Sequence, residues 1–221
     1  SITGQAKIFA NPKKSTLTEP EFSAYLKEDQ FWPVNHPIFQ SPETSFNTIA
    51  EIYDFVVNKL KYDYETLENS QRKGALQAFN SETGVCTEFS DLFVTLARTN
   101  GIPARELQGF AFTDSQEIIS LSAENDVLHS WAEYWDSKKK QWVPVDPTWT
   151  NSTDGLEYIE NFDLGHFVFV THGQSSTQPI PPGYYKNNAD QKSIQVDFAT
   201  EILTSPKINL KPEIIQTKDQ S

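Results

Sequence analysis

Apolar residues recur at helical spacing in the segment Thr48–Leu60. Ile52, Val56 and Leu60 lie four residues apart, which places them on one face of a helix. The first residue of the segment and Glu51 fit a capping box, the usual signature of a helix N-terminus. We therefore predict a helix over this segment.

A second helical pattern covers Thr87–Thr99, directly after the tripeptide 84–86 (Gly-Val-Cys). Phe89, Leu92 and Leu96 form one apolar stripe, and the Asn-Gly pair that follows provides a stop. The pattern predicts a helix whose first turn lies beside the cysteine. Weaker helical patterns occur at Glu19–Lys27 and Gln71–Phe79.

Beyond residue 103 the pattern changes to strands rich in aromatic and branched residues. Strands are predicted at Ala104–Phe112, Phe167–Val170 and Ile194–Phe198, and the segment Val127–Thr150 is predicted to form a hairpin that turns at Asp136–Lys140. Helices come first and strands afterwards, without βαβ alternation. This order predicts an α+β fold in which N-terminal helices pack on an antiparallel sheet.

The chain divides by composition into three parts. Residues 1–43 are polar and interrupted by five prolines, which predicts an irregular N-terminal extension. Residues 44–204 carry the helices and strands and are predicted to form one domain, with a polar, acidic loop at Thr113–Asp126. Residues 205–221 are expected to be a polar tail or a linker.

The overall charge narrows the class of partners. The 221 residues carry 18 basic and 30 acidic side chains, a net charge of −12. Such a surface repels nucleic acid and anionic lipid, and no apolar run approaches the roughly 18 residues of a membrane span. We expect neither nucleic acid nor membrane insertion. Methionine is absent even at position 1, so we expect a processed product or a piece of a longer multidomain chain.

A single cysteine limits the chemistry further. It excludes an internal disulfide framework, a Cys-rich zinc site and a CxxC redox pair, and calcium loops of alternating carboxylates are not evident. We expect no metal and no other cofactor. Cysteine usage does not decide the compartment; an extracellular or cell-surface location is favoured over the cytoplasm.

Cys86 is placed for chemistry. It stands at the predicted helix start, where unpaired backbone N–H groups favour the thiolate, and Gly84 allows a tight approach just before it. The alternative is that the cysteine is a small buried apolar residue, as many free cysteines are.

A base for this thiol is predicted on the hairpin. If the turn centres on residues 137–138, Glu133 faces Trp142 and His129 faces Asp146, close enough for the carboxylate to accept an imidazole N–H. Taken singly, His129 is better interpreted as an ordinary strand histidine, and Asp146 before a proline as a turn starter. Together with Cys86 they favour nucleophilic catalysis.

Other residues in this region have both a structural and a functional interpretation. Trp131 and Trp149 could wall a substrate cleft, or they could pack the sheet against the Cys86 helix. Arg105 is interpreted as a structural ion pair rather than a substrate anchor. His166 and His172 alternate with valines on one predicted strand face and are interpreted as plain strand residues.

An acyl-transfer site also needs donors for an oxyanion. The backbone N–H of Cys86 is one natural donor at a helix start. For the second, the candidates Tyr62, Tyr64, Gln77 and Asn80 remain open, and each is equally consistent with an ordinary structural residue.

Four motifs in order resemble the transglutaminase-like superfamily over about residues 48–150. They are Thr83-Gly84-Val85-Cys86, Gly101-Ile102-Pro103-Ala104-Arg105, His129-Ser130-Trp131-Ala132-Glu133 and Asp146-Pro147-Thr148-Trp149. The resemblance implies a papain-like core with a triad of Cys86 as nucleophile, His129 as general base and acid, and Asp146 as the orienting carboxylate. It implies acyl transfer or hydrolysis at amide bonds of a protein or peptide substrate, through a thioester.

Two alternatives to this function remain open. The same core could be a catalytically inactive scaffold or peptide-binding module of a larger surface protein. It could also be a plain cysteine peptidase or amidase, since transfer and hydrolysis differ in acceptor access rather than in the triad.

Overall fold

The computed structural model describes residues 14–64, 71–111, 128–152, 157–159 and 161–180. Three predicted features lie outside the described residues: the loop Thr113–Asp126, the strand Ile194–Phe198 and the tail 205–221.

Among the described residues, four helices follow the predicted order, and a fifth, after β-strand residues that end at Val145, replaces the end of the segment Val127–Thr150 that was predicted as a hairpin. The α-helices are α1 (Glu19–Ala24), α2 (Ile49–Lys59), α3 (Gly74–Ser81), α4 (Cys86–Thr99) and α5 (Pro147–Ser152), with short 3-10 turns at Pro37–Gln40 and Pro42–Thr44. The capping box predicted for α2 is present, since Thr48 accepts a hydrogen bond from the N–H of Glu51 and the Glu51 carboxylate returns one to Thr48.

The strands form two sheets. The larger is antiparallel with the order β5-β4-β3-β6, built from β3 (Ala104–Ala111), β4 (Leu128–Asp136), β5 (Gln141–Val145) and β6 (His166–His172). The smaller pairs β1 (Lys61–Tyr62) with β2 (Thr83–Gly84) in parallel, immediately before the cysteine. The α+β fold with helices packed on an antiparallel sheet is confirmed.

The central helix is α4. It packs against α2 and α3 on one side and against β3 and β4 on the other. Its predicted stripe of Phe89, Leu92 and Leu96 is fully buried, and so is Phe93 beside it. Burying four such side chains contributes several kcal/mol, which fixes the helix that carries Cys86 at its first residue.

Residues before position 44 also contribute to this core. Trp32 and Phe39 are buried against it, and the indole N–H of Trp32 donates to the carboxylate of Asp91 on α4 over 2.8 Å. The domain boundary at residue 44 stays a prediction, but the core it encloses begins earlier in the chain.

The hairpin register differs from the predicted one by two residues. Glu133 pairs with Pro144 and Trp135 with Trp142, rather than Glu133 with Trp142. The Asp136 carboxylate accepts the N–H groups of Lys138 and Lys139. These bonds move the turn centre one residue along the chain. A slip of two keeps every side chain on its predicted face, so the contact expected from the hairpin survives.

A bulge interrupts the pairing of β3 with β6 between Gln108 and Gly109. His166 pairs with Ala111, whereas His172 pairs with Glu106. Ala111 and Glu106 are five positions apart on β3 and therefore point to opposite faces. The prediction that the two histidines share one face is wrong, because the bulge changes the alternation between them.

None of the helices in the described part of the chain is long and apolar enough to cross a bilayer.

Candidate active site

Cys86 is the first residue of α4 and is half-buried. Gly84, two residues earlier, allows the close approach predicted for it: a Cβ there would lie 2.4 Å from the Cβ of Glu88. The Glu88 carboxylate in turn accepts the backbone N–H of Val85, the residue before Cys86. This hydrogen bond caps the N-terminus of the helix that begins with Cys86.

His129 on β4 contacts Asp146, the residue after β5. Its Nε2 lies 2.7 Å from Asp146 Oδ2. The ladder between β4 and β5 ends at the pair of Ala132 with Val145, so Asp146 reaches His129 diagonally from beyond the strand end rather than from directly opposite. The predicted contact is present, although the predicted pairing was wrong.

Cys86 lies close enough to the same imidazole to contribute to its raised pKa. Because Nε2 is engaged by Asp146, Nδ1 is the ring nitrogen left for the thiol. Burial opposes the charged ring, but the Asp146 carboxylate, helped by Cys86, raises the pKa of His129 to about 9. The structure thus brings His129 into contact with Asp146 and places Cys86 near the same imidazole; their roles as a triad stay a prediction.

Asp146 is fully buried and held on all sides. Its Oδ1 accepts the backbone N–H of Trp149 in the first turn of α5 over 3.0 Å. Its own carbonyl accepts the hydroxyl of Tyr53 from α2 over 3.0 Å, and its N–H donates to the carbonyl of Tyr158. Although burial opposes ionisation, the hydrogen bonds and charge of His129 hold the pKa of Asp146 well below its usual range.

The sequence interpretation of His166 as a plain strand residue is wrong. Its Nε2 lies 3.2 Å from Asp146 Oδ2, the oxygen that also contacts His129, and its Nδ1 lies 2.7 Å from Asp163 Oδ1. His172 was interpreted in the same way and is also a buried partner of a carboxylate, that of Glu106. The i, i+3 spacing of Asp163 and His166 was the one sequence signal that could have drawn attention to this pair.

Trp131 and Trp149 surround the imidazole of His129. Their rings lie nearly parallel to it, with centroids 5.9 Å and 5.2 Å away, and both side chains are buried. They shield the His129–Asp146 contact from water, which strengthens it. Their predicted role in substrate binding stays a prediction.

The structure also shows the contacts of Arg105 and of the candidate oxyanion donors. Arg105 forms an ion pair with Glu133 and stacks 4.0 Å over the Trp142 ring, as expected of a structural residue. Of the four oxyanion candidates, Tyr62 pairs with Gly84 on the strand that leads to Cys86 and packs on Tyr64.

The remaining two, Gln77 and Asn80, lie on α3 and line a cavity of about 420 Å³ together with Phe31 and Pro33.

His129, Asp146 and His166 are also the group, within the described residues, whose ligand atoms lie close enough together to hold a metal ion, within 4.8 Å of one another. In the structure these atoms hydrogen-bond to one another instead. The donor set is thus already satisfied as a hydrogen-bonded chain.

The sequence profile of the transglutaminase-like superfamily matches residues 33–147, about half of the chain. The match spans Cys86, His129 and Asp146. The chain therefore belongs to the transglutaminase-like superfamily, whose members are generally cysteine-dependent enzymes.

Individual relatives are distant. The uncharacterised protein YebA of Bacillus subtilis is 26% identical over 118 residues, which are 49% of this chain and 16% of YebA. The chain thus spans about a sixth of that relative's length.

Two solved structures share part of the fold at low similarity. A proposed cysteine protease from Cytophaga hutchinsonii is 19% identical with a TM-score of 0.47, over 59% of this chain and 43% of that one. The periplasmic domain of TgpA from Pseudomonas aeruginosa is 17% identical with a TM-score of 0.43, over 63% and 52%.

Proposed function

We propose that this protein is a cysteine acyltransferase or hydrolase that acts on amide bonds of protein or peptide substrates through a thioester on Cys86. One observation carries the proposal: the Nε2 of His129 lies 2.7 Å from the buried Asp146 carboxylate, on an imidazole near enough to Cys86 for the two to interact electrostatically. A nucleophile, a base and an orienting carboxylate in this order are what thiol-based acyl transfer requires.

The electrostatics of the site support an ion pair of Cys86 with His129 as the proposed resting state. Although burial opposes the charged ring, Asp146 raises the pKa of His129 to about 9, which favours a charged imidazole at neutral pH. Such an imidazole and the backbone N–H groups of the helix N-terminus both stabilise negative charge on the Cys86 sulfur.

The reaction follows from these roles. The Cys86 sulfur attacks the amide carbonyl carbon, and the oxyanion is held by the Cys86 backbone N–H. The C–N bond breaks as the His129 imidazolium gives its proton to the departing amine. Water or a second amine then attacks the thioester carbonyl and gives a proton to His129, and the sulfur leaves as a thiolate, which restores the starting pair. Asp146 keeps the ring in place throughout.

The first test measures the reactivity of Cys86, the one cysteine in the chain. Iodoacetamide should alkylate the native protein below pH 7 faster than it alkylates a free-cysteine peptide, because it reacts with the thiolate. His129→Ala should lose this low-pH reactivity, and Cys86→Ser should not be labelled. Labelling of the wild type only after denaturation would mean an inert, buried thiol and would overturn the proposal.

Turnover products then separate the two enzyme classes. A glutamine-containing peptide incubated with a fluorescent primary amine should give an amine conjugate if the thioester is resolved by an amine, and a free acid if it is resolved by water. A reactive Cys86 that gives neither product with any peptide tested would favour the inactive scaffold instead. An extracellular or cell-surface location and a longer parent chain are part of the same proposal.

A further inference from the structure

His166 occupies an unusual position for a histidine. Its side chain is 1% exposed, and both ring nitrogens lie within hydrogen-bond distance of carboxylate oxygens. Nδ1 lies 2.7 Å from Asp163 Oδ1, and Nε2 lies 3.2 Å from Asp146 Oδ2. An ionised carboxylate only accepts hydrogen bonds, whereas a neutral imidazole has a single N–H to donate. Both contacts are satisfied together when both nitrogens carry a proton.

The rest of its surroundings are apolar or neutral. The rings of Trp131, Trp149 and Phe162 pack on His166 with centroids 4.4 to 4.9 Å away. Tyr158 lies 6.3 Å away, and its hydroxyl stays neutral because burial, with the charges of Asp163 and Asp146, raises its pKa to about 12.

The charged groups that face His166 among the described residues are therefore Asp146, Asp163 and His129, whose ring centroid is 5.8 Å away. A buried cation requires charged partners, and these two carboxylates provide them.

We propose that His166 is a resident imidazolium that positions Asp146 and acts through it on the His129–Cys86 pair. This inference rests on the proposed function. Three N–H groups then converge on the Asp146 carboxylate, from His129, His166 and the Trp149 backbone. His166 fixes the same carboxylate oxygen that contacts His129, and Asp163 fixes His166 in turn.

The charge of His166 has a second consequence. A positive charge close to His129 disfavours a second imidazolium and favours the thiolate of Cys86. Burial opposes charging of His166, but the hydrogen bonds and charges of Asp146 and Asp163 raise its pKa, which agrees with the count of donors. The Asp146 carboxylate therefore raises the proton affinity of His129, and the charge of His166 limits that rise.

The experiment compares His166→Gln with the matched control His172→Gln. His172 is also buried on β6 and also contacts a carboxylate, Glu106 at 2.8 Å. It lies outside the chain of contacts that leads to Cys86. Both substitutions remove a buried histidine, so both are expected to lower the melting temperature.

Two measurements are made. The first is the rate of Cys86 alkylation by iodoacetamide between pH 5 and 10. The alkylation rate depends on the ionisation of both Cys86 and His129. For His166→Gln both ionisations should move to higher pH. The rate at pH 6 should then fall about three- to tenfold, as expected for losing a charge about 6 Å from His129. Asp163→Asn should shift the profile in the same direction by less. His172→Gln should leave the profile in place.

The second measurement does not depend on catalysis. Two-bond ¹H–¹⁵N spectra of histidine-labelled Cys86→Ser, with His166→Gln used for assignment, report which ring nitrogens carry protons. His166 should be doubly protonated at pH 7.5. A neutral ring, or an unshifted alkylation profile in folded His166→Gln, would overturn the inference. If the wild-type thiol is inert, the proposed function fails and the positioning role with it, whereas the spectra still decide whether His166 is an imidazolium.

Discussion

Asp146 is the residue on which the site converges. Its carboxylate accepts hydrogen bonds from two histidines and one backbone N–H, and its main chain is held by Tyr53 and Tyr158. A side chain in this position orients the base and begins α5 at the same time. Asp146 has both the orienting and the capping role because it lies between the end of β5 and the start of α5.

Asp146→Asn is expected to impair both duties. The asparagine amide offers one acceptor oxygen and places an NH₂ group against donors. We expect acylation to slow by about 10- to 1000-fold, and the free energy of unfolding to fall by about 1–3 kcal/mol, the cost of leaving buried hydrogen bonds unmade. Single-turnover acylation with an activated ester and urea unfolding measure the two effects.

Asp136→Asn is the control for this change. Asp136 also accepts two backbone N–H groups, at the far end of the same hairpin, so its substitution should cost some stability and leave acylation unchanged. If Asp146→Asn acylates at the wild-type rate in a folded protein, Asp146 is only a structural cap, and the site reduces to a Cys–His dyad.

At the scale of elements, the sequence predicts what local patterns determine. Helix α2 follows from its capping box and four-residue period, and α4 follows from its apolar stripe. The hairpin faces follow from alternation, although the register does not. The Asp136 side chain sets the turn by binding Lys138 and Lys139, and no feature of the strand pattern reveals that choice.

The role of His166 could not be predicted because it depends on distant pairing. It reaches Asp146 only because β6 pairs with β3, and the bulge at Gly109 sets which of its side chains face the site. Neither the pairing partner nor the bulge is encoded in the alternation of residues 166–172. The place of Cys86 at the start of α4 and the contact of His129 with Asp146 could be predicted, because these residues stand near element ends marked by motifs.

Gly109 provides a test of this element. A Cβ there would lie 1.9 Å from the carbonyl oxygen of Phe167 on β6, so Gly109→Ala must push β6 away from β3. We expect a loss of at least about 1–3 kcal/mol in the free energy of unfolding, together with slower low-pH alkylation of Cys86, because the displaced strand carries His166. Urea unfolding and iodoacetamide labelling measure both.

Gly101→Ala is the matched glycine control. Gly101 has a φ of +77° with open space around its missing Cβ, so alanine there should cost about 1 kcal/mol of backbone strain and leave Cys86 reactivity unchanged. Equal effects of the two substitutions on reactivity would contradict a specific role for the bulge.

At the scale of the whole molecule, the site should be visible in the pH dependence of stability. His129 has a folded pKa of about 9 against an ordinary value of 6.5. A histidine raised in this way stabilises the fold fully below pH 6.5, and its contribution is lost as the pH rises through 9. The lowered pKa of Asp146 arises from the same contact with His129. Asp146 therefore also stabilises the fold, and its contribution is lost only as the pH falls below 3.8, the ordinary pKa of the carboxyl group.

The last prediction uses this linkage to ask where the thiol proton resides. In Cys86→Ser the folded state binds one more proton at His129 than the unfolded state does between pH 6.5 and 9, so the free energy of unfolding should decline by about 2 kcal/mol across that range. In the wild type, an unfolded cysteine keeps its proton up to about pH 8.5, whereas the folded pair has moved that proton to His129. The folded and unfolded states of the wild type then bind the same number of protons at Cys86 and His129. The free energy of unfolding of the wild type should therefore change less with pH, up to about pH 8.5. Urea unfolding of both proteins from pH 6 to 9 measures the two slopes, and the contributions of His166 and His172 are common to both. Equal slopes would mean that the folded thiol keeps its proton, and the resting ion pair proposed for Cys86 and His129 would be wrong.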